Sequence, residues 1–290
     1  LQNGGIAVDS SSNVFAVENN WGSSAGNGAG IGEATAFFQV DPNTGVAMSA
    51  IPLLQGGVDV GFGFGALEIL PNGRVLALRG DCSENPCLFE VDPLSGEVSD
   101  LGIDLPPGAE GALNGLDALD DSNLLATTNQ GNLISIDLVA GEMSLIGDEN
   151  VENVGWTGVA VHPSSGDVYT VSRRRDEDSN TAHLYRININ DGQIIEHIGD
   201  AGIQAISGID FAPIGTLYGN YNLETIDINT GLATTVGNFG ADPLAPLAKK
   251  NYLQNTLMQT AFGSLKFPGK IVLPEVEDVD LSADRISIPD

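Results

Sequence analysis

A phrase that recurs five times along the chain constrains the fold more than any other feature. Each copy begins with a glycine and a short apolar stretch, and a turn rich in Pro, Ser, Asn, Asp or Gly follows it. Self-similarity of this kind predicts one structural unit repeated in tandem. The copies begin at Gly5-Ile6-Ala7-Val8, Gly65-Ala66-Leu67-Glu68, Gly115-Leu116-Asp117-Ala118, Gly158-Val159-Ala160-Val161 and Gly208-Ile209-Asp210-Phe211.

Each copy continues with a second strand, a third strand that ends in a fixed turn, and a fourth strand. The second strands are predicted at 13–17, 74–78, 123–127, 167–171 and 216–220. In the fixed turn an Asp or Asn is followed four residues later by Gly, as in Asp41/Gly45, Asp92/Gly96, Asp137/Gly141, Asn188/Gly192 and Asp227/Gly231. The side-chain oxygen can accept a backbone N–H two residues on, and glycine supplies the positive φ that closes the hairpin. We therefore interpret these aspartates as turn formers rather than calcium ligands.

Units of this length and strand number predict a β-propeller. The turn glycines lie 51, 45, 51 and 39 residues apart. A lone four-stranded unit cannot bury both of its faces, so the units must pack face to face around an axis. The expected fold is all-β, with five four-stranded blades, a possible degenerate sixth blade and a strand-like C-terminal extension. The expected boundaries are about 1–57, 58–107, 108–150, 151–201 and 202–240 for the blades and 241–290 for the extension.

One stretch of the fifth unit resembles a known kind of repeat. Leu217-Tyr218 and, after it, Ile226-Asp227-Ile228-Asn229-Thr230-Gly231 are similar to secreted propeller repeats of the DUF4394-like kind. They resemble quinoprotein-like and NHL-type propellers more loosely. The resemblance covers about residues 1–240 and implies the architecture, while propellers host many different functions.

The charge of the chain excludes several classes of partner. There are 39 acidic and 11 basic residues, a net charge of −28. Nucleic acid and anionic membranes need clustered Lys and Arg, so neither is an expected partner. No apolar run is long enough for membrane insertion, and a start without Met or signal peptide suggests a mature, secreted product. The acidic surface suits high salt, divalent cations or a basic partner, or it simply maintains solubility.

The two cysteines predict an oxidising compartment. Cys82 and Cys87 are separated by four residues, which is a poor zinc motif because structural zinc needs four ligands. A disulfide that closes a small loop explains the pair better, and it indicates an extracellular or cell-surface location.

The connections between second and third strands are long in three units, and they should emerge on one side of the propeller. The first contains Trp21, the second runs from Arg79 to Cys87, and the fourth contains Arg173, Arg174 and Arg175. They are either a recognition surface or variation at a tolerant site. The fourth connection also contains Asp176, Asp178 and Asn180, whose alternate spacing could hold Ca²⁺, although a solvated charge cluster is the competing interpretation.

No catalytic constellation is visible, and we predict that the chain is not an enzyme. His162, His183 and His197 have no metal-ligand spacing, and no nucleophile motif occurs. The inner-strand residues Glu68, Asp117 and Asp210 are the only acidic set that a calcium-dependent lactonase or hydrolase could use. Strand ends and half-buried faces explain them equally well. No cofactor is therefore required, and Ca²⁺ is the one candidate.

The C-terminal segment differs from the repeats in charge. Residues 1–240 carry a net charge of −26, whereas residues 243–274 carry +4 from Lys249, Lys250, Lys266 and Lys270. Such a segment should bind acidic surface by adding strands to a blade edge, either within its own chain or on another copy. Contact between copies would give a homo-oligomer or a filament.

These observations lead to three functional hypotheses. The leading one is a non-enzymatic extracellular scaffold or adhesion module that assembles with itself or with an envelope or matrix component. The alternatives are the calcium-dependent hydrolase, and a carbohydrate- or peptide-binding propeller that uses Trp21 and the loop at 173–178.

Overall fold

The computed structural model of the chain is all-β. It describes residues 3–18, 35–80, 87–109, 111–147, 151, 154–174 and 181–237, and these residues contain 22 strands and no helix. No helix capable of crossing a membrane is therefore found in the described part of the chain. All the described residues belong to the first of two compact units, Leu1–Tyr252, and the second unit, Leu253–Asp290, lies outside them.

Twenty of the strands form five four-stranded antiparallel sheets, which we call the first to fifth blades. The first blade contains β1 (Asn3–Val8), β2 (Val14–Glu18), β3 (Ala36–Val40) and β4 (Ala47–Pro52). The second contains β7 (Phe64–Ile69), β8 (Val75–Arg79), β9 (Leu88–Val91) and β10 (Val98–Asp100). The third contains β11 (Leu113–Ala118), β12 (Asn123–Thr128), β13 (Leu133–Asp137) and β14 (Glu142–Ile146).

The last two blades have the same plan. The fourth contains β15 (Val154–Val161), β16 (Val168–Arg174), β17 (His183–Ile187) and β18 (Ile194–Asp200). The fifth contains β19 (Ile209–Phe211), β20 (Leu217–Asn220), β21 (Leu223–Ile226) and β22 (Ala233–Gly237). A small hairpin, β5 (Leu54–Gln55) with β6 (Val58–Asp59), connects the first blade to the second.

The ring closes with five blades. Each sheet is built from consecutive strands, so among the described residues no strand is exchanged between the two ends of the ring. The inner strands β1, β7, β11, β15 and β19 contact one another in that order, and β19 contacts β1. The first and fifth blades therefore meet directly at a seam, and the degenerate sixth blade that was considered possible does not lie between them.

The Asp-to-Gly turns confirm their interpretation as turn formers. In all five turns the glycine has φ between 71° and 78°, and its N–H donates to the carbonyl of the Asp or Asn four residues earlier. The side-chain Oδ1 of that Asp or Asn also accepts the N–H two residues on, as Asp41 does from Asn43 at 2.9 Å. Each turn thus uses one side chain and one glycine to reverse the chain between the third and fourth strands.

The packing between blades confirms the physical argument for a propeller. The buried apolar residues form five clusters, and each cluster draws its members from two neighbouring blades. Trp156, the largest fully buried side chain among the described residues, packs edge-on against Tyr185 in the cluster between the third and fourth blades. Each sheet therefore hides its two faces against its two neighbours.

Candidate functional site

Three acidic side chains from inner strands meet in the centre of the ring. Glu68 comes from β7, Asp117 from β11 and Asp210 from β19, and one carboxyl oxygen of each lies within 4.8 Å of the others. They are almost fully buried, with exposed fractions of 5%, 6% and 6%. The structure thus brings together the acidic set that the sequence offered, and we call Glu68, Asp117 and Asp210 the carboxylate cluster.

The two aspartates are fixed by backbone donors from two blades each. Asp117 accepts the N–H of Ala118 at 2.6 Å with one oxygen and the N–H of Val161, in the fourth blade, with the other. Asp210 accepts the N–H of Phe211 at 2.6 Å and, across the seam, the N–H of Val8. An inner strand pairs with only one neighbour, so N–H groups on its free edge need acceptors of this kind.

Glu68 is held differently, because its Oε2 is buried and has no hydrogen-bond partner. The pKa of Glu68 is raised well above its usual value by burial first, and then by the negative charges of Asp117 and Asp210. Burial also raises the pKa of Asp117 to about 7, although the N–H groups of Val161 and Ala118 oppose it. The pKa of Asp210 is raised by burial and by the charge of Asp117.

These shifts have a common physical cause. Three like charges within 4.8 Å and almost out of water repel strongly, so they ionise together only if a positive charge compensates them. No cationic side chain is among the causes of the three shifts. Bound protons or a bound cation must therefore supply the compensation.

The channel beside the carboxylate cluster is very narrow. A cavity of about 10 Å³ lies between the inner strands and is lined largely by the glycines that begin the repeats and by their neighbours. This volume matches one water molecule or one small ion. Glycine is needed at two of these positions, because a Cβ on Gly115 would lie 2.7 Å from the Val159 nitrogen and one on Gly158 would lie 2.9 Å from the Ile209 nitrogen.

Most of the other predicted site residues lie outside the described residues. Among them are Cys82, Trp21 and Arg175, together with Asp176, Asp178, Asn180, Lys249, Lys250, Lys266 and Lys270. Cys87 is fully buried, and the disulfide with Cys82 stays a prediction. The roles proposed for the other residues also stay predictions.

The fourth-blade loop begins later than the sequence suggested. Arg173 and Arg174 were expected in the loop, but they belong to β16 and pair with Gly155 and Val154 of β15. The reason is that β15 starts well before the repeat glycine, so its partner strand continues beyond the predicted end. The recognition role predicted for Arg173, Arg174 and Arg175 stays a prediction.

A histidine pair was missed by the sequence argument. Nδ1 of His183 in β17 lies 3.1 Å from Nε2 of His197 in β18. The pKa of nearby Asp200 is lowered, mainly by the Gly202 N–H and to a smaller extent by these two histidines. His183 and His197 lie at similar distances on either side of the hairpin turn between β17 and β18, and residues so placed can meet across the two strands. This spacing is the sequence signal that could have revealed the pair.

Together the ring of five four-stranded sheets and its seam define the class of protein as a five-bladed β-propeller. No family model matches the chain, and no curated protein matches it. Among solved structures, the chain is similar to "YCF48 bound to D1 peptide", with 12% identity and a TM-score of 0.44 over 81% of this chain and 68% of that one. A similarity at this level carries no functional argument, and the DUF4394-like resemblance and secretion stay predictions.

Proposed function

We propose that this propeller is a non-enzymatic extracellular scaffold or adhesion module that assembles with copies of itself or with an envelope component. The observation that supports it best is the small volume of the cavity between the inner strands. Sites for organic ligands occupy about 300–1,000 Å³, whereas the cavity between the inner strands measures about 10 Å³. The proposal therefore places function on the outer surface.

A larger hollow on the second blade offers no catalytic arrangement. It measures about 520 Å³ and is open to solvent along β8 to β10. Arg74 and Glu90 pair within it at 2.8 Å, Asp92 holds its turn through the N–H of Leu94, and Glu97 accepts the N–H of Gly56. These charged groups therefore form an ion pair and stabilise turns, which suits a structural role better than a catalytic one.

The blade edges offer a place for assembly. The outermost strand of the fourth blade, β18, has seven residues, and among the described residues no strand pairs with its outer edge. Ile194 and Ile195 on this strand are 37% and 55% exposed. Exposed strand edges with apolar side chains can pair with an added strand. The segment 243–274 is basic, whereas the residues 1–240 are strongly acidic. We propose that this segment docks on such an edge of another copy.

The assembly proposal can be tested on the full-length chain by reversing the charge of the segment. The four lysines are replaced together by Glu, and a matched variant carries Arg at the same four positions. Size-exclusion chromatography with light scattering should show an oligomer or filament for the natural chain and the Arg variant, and a monomer for the Glu variant. Equal masses for all three proteins, or a monomeric natural chain, would refute assembly through this segment.

The second candidate is the calcium-dependent hydrolase, and the meeting of Glu68, Asp117 and Asp210 favours it because such enzymes hold their metal in the channel. Against it stands the small volume, about 10 Å³, of the cavity between the inner strands. Turnover of a lactone that needs calcium and is lost in Glu68→Gln would establish it. The carbohydrate- or peptide-binding alternative depends on Trp21 and the loop at 173–178, and glycan-array binding would test it.

A further inference from the structure

We infer that the carboxylate cluster binds one calcium ion in the centre of the ring. Calcium takes oxygen ligands at about 2.3–2.6 Å, so two of its ligands lie at most about twice that distance apart. The three carboxyl oxygens lie within 4.8 Å of one another, and one ion can therefore touch all of them. Second oxygens of these carboxyl groups and one water molecule in the adjoining cavity would add to its coordination.

The state of Glu68 is the second observation that points to a ligand. Its side chain is 95% buried, and its Oε2 has no hydrogen-bond partner. A buried carboxylate oxygen without a partner is costly. Each carboxyl oxygen of Asp117 and Asp210 already accepts one backbone N–H, but it keeps a second lone pair. The carboxyl groups of Glu68 and Asp117 also share a hydrogen bond, and the Oε2 of Glu68 remains an acceptor that no protein donor fills.

The chemistry of the ligands selects the kind of ion. Carboxylate oxygens are hard donors, which suit calcium, magnesium or manganese rather than softer metals. Magnesium requires bonds of about 2.0–2.1 Å in near-ideal octahedral geometry. The three ligands come from separate blades, and two of them are fixed by the backbone. Calcium tolerates irregular geometry at longer distances and therefore fits such a set better.

A bound ion would strengthen the ring. Its ligands belong to the second, third and fifth blades, while the aspartates already bind backbone of the fourth and first. All five blades would then be connected through one centre. The calcium site involves the channel alone and is independent of the proposed assembly through the C-terminal segment.

The test uses the full chain, stripped with EDTA and returned to metal-free buffer near pH 8. Thermal unfolding is followed while CaCl₂ is added, and we expect a rise in Tm of roughly 5–10 °C once calcium is at about 100 times its Kd. Glu68→Gln should abolish most of this rise. Because it also removes a repelling charge, its calcium-free Tm should equal or exceed that of the natural chain.

Glu142→Gln is the matched control, since it removes the same charge from an exposed position on β14. It should keep the full calcium response. Equilibrium dialysis with radioactive calcium should find one more ion bound to the natural chain and to Glu142→Gln than to Glu68→Gln.

Three results would overturn the inference. Equal calcium responses in both Gln variants would show that calcium binds only the acidic surface. No response to calcium in the natural chain would show that protons alone neutralise the cluster. A response to magnesium, manganese or zinc without one to calcium would show that the ion is wrong.

Discussion

The glycine that begins the first repeat, Gly5, should not tolerate even a methyl group. A Cβ at this position would lie 2.6 Å from the Cα of Ala66 and closer still to the nitrogen of Leu67. Both atoms belong to the backbone of β7 in the next blade, so no side-chain rotation can relieve the collision. The φ of Gly5 is not positive, and the collision is therefore the main cost of Gly5→Ala.

The magnitude follows from the space available. Ordinary contacts of a Cβ begin at about 3.4 Å, whereas the Leu67 nitrogen would lie at 2.2 Å, so a strand of the inner ring would have to move by more than an ångström. Overpacking in a close-packed interior costs about 1–3 kcal/mol, and more where the obstacle is rigid. We expect Gly5→Ala to lose about 3 kcal/mol, which corresponds to roughly 6–12 °C in Tm.

Gly208 provides a matched control, because it occupies the same place in the fifth repeat. A Cβ there would meet the Oδ1 of Asn220 at 3.3 Å and the nitrogen of Ile6 at 3.5 Å. Gly208→Ala should therefore cost less than about 1 kcal/mol. Urea unfolding followed by circular dichroism measures both. Equal losses of stability in the two variants would refute the argument that glycine is needed at Gly5 because neighbouring inner strands lie so close together.

Three further predictions concern other parts of the ring, and thermal or urea unfolding measures each of them. In EDTA, the stability of the folded chain should fall as pH rises from about 4 to above 7. The pKa of Asp117 is raised from 3.8 to about 7, so over this range the folded chain holds a proton that the unfolded chain releases. A rise in stability over this range would contradict the prediction. Gly141→Ala should cost roughly 1–2 kcal/mol, because its φ is +71° although no atom lies within 4 Å of a Cβ; a neutral result would contradict that. Asn220→Ala should cost about 1–3 kcal/mol, because its Nδ2 donates to the Gly4 carbonyl across the seam at 3.1 Å; an unchanged urea midpoint would show that this bond does not support closure.

The blade plan could be predicted because its signals are local. Asp137 and Gly141 determine their turn within five residues, and the same chemistry recurs in every blade. Apolar faces on both sides of a sheet then require neighbours. The strand ends depend on the partner strand instead, which is why β16 extends to Arg174 while the repeat predicted an earlier end.

The meeting of the acidic residues could be suspected from the sequence, but the sequence alone could not establish it. Glu68 is the third residue after its repeat glycine, whereas Asp117 and Asp210 are the second, so no common position in the repeat links them. Their distances depend on ring diameter and blade number. A sixth blade, which the sequence left possible, would have widened the channel and separated them. The number of blades thus decides whether these residues form a site at all.

Asp117 and Asp210 stabilise the ring whether or not the carboxylate cluster binds an ion, because each accepts a backbone N–H of a neighbouring blade. Without an exchanged strand, the first and fifth blades are joined by apolar contacts and by a few side chains that reach the neighbouring backbone, among them Asp210 on the Val8 N–H. Asp117 performs the same task between the third and fourth blades. Replacing either aspartate would leave a backbone N–H of the neighbouring blade without its acceptor and would destabilise the ring with or without an ion. Of the three residues, only Glu68 has an oxygen that accepts no hydrogen bond. Its substitution is therefore the one that can remove ion binding without also weakening the closure of the propeller.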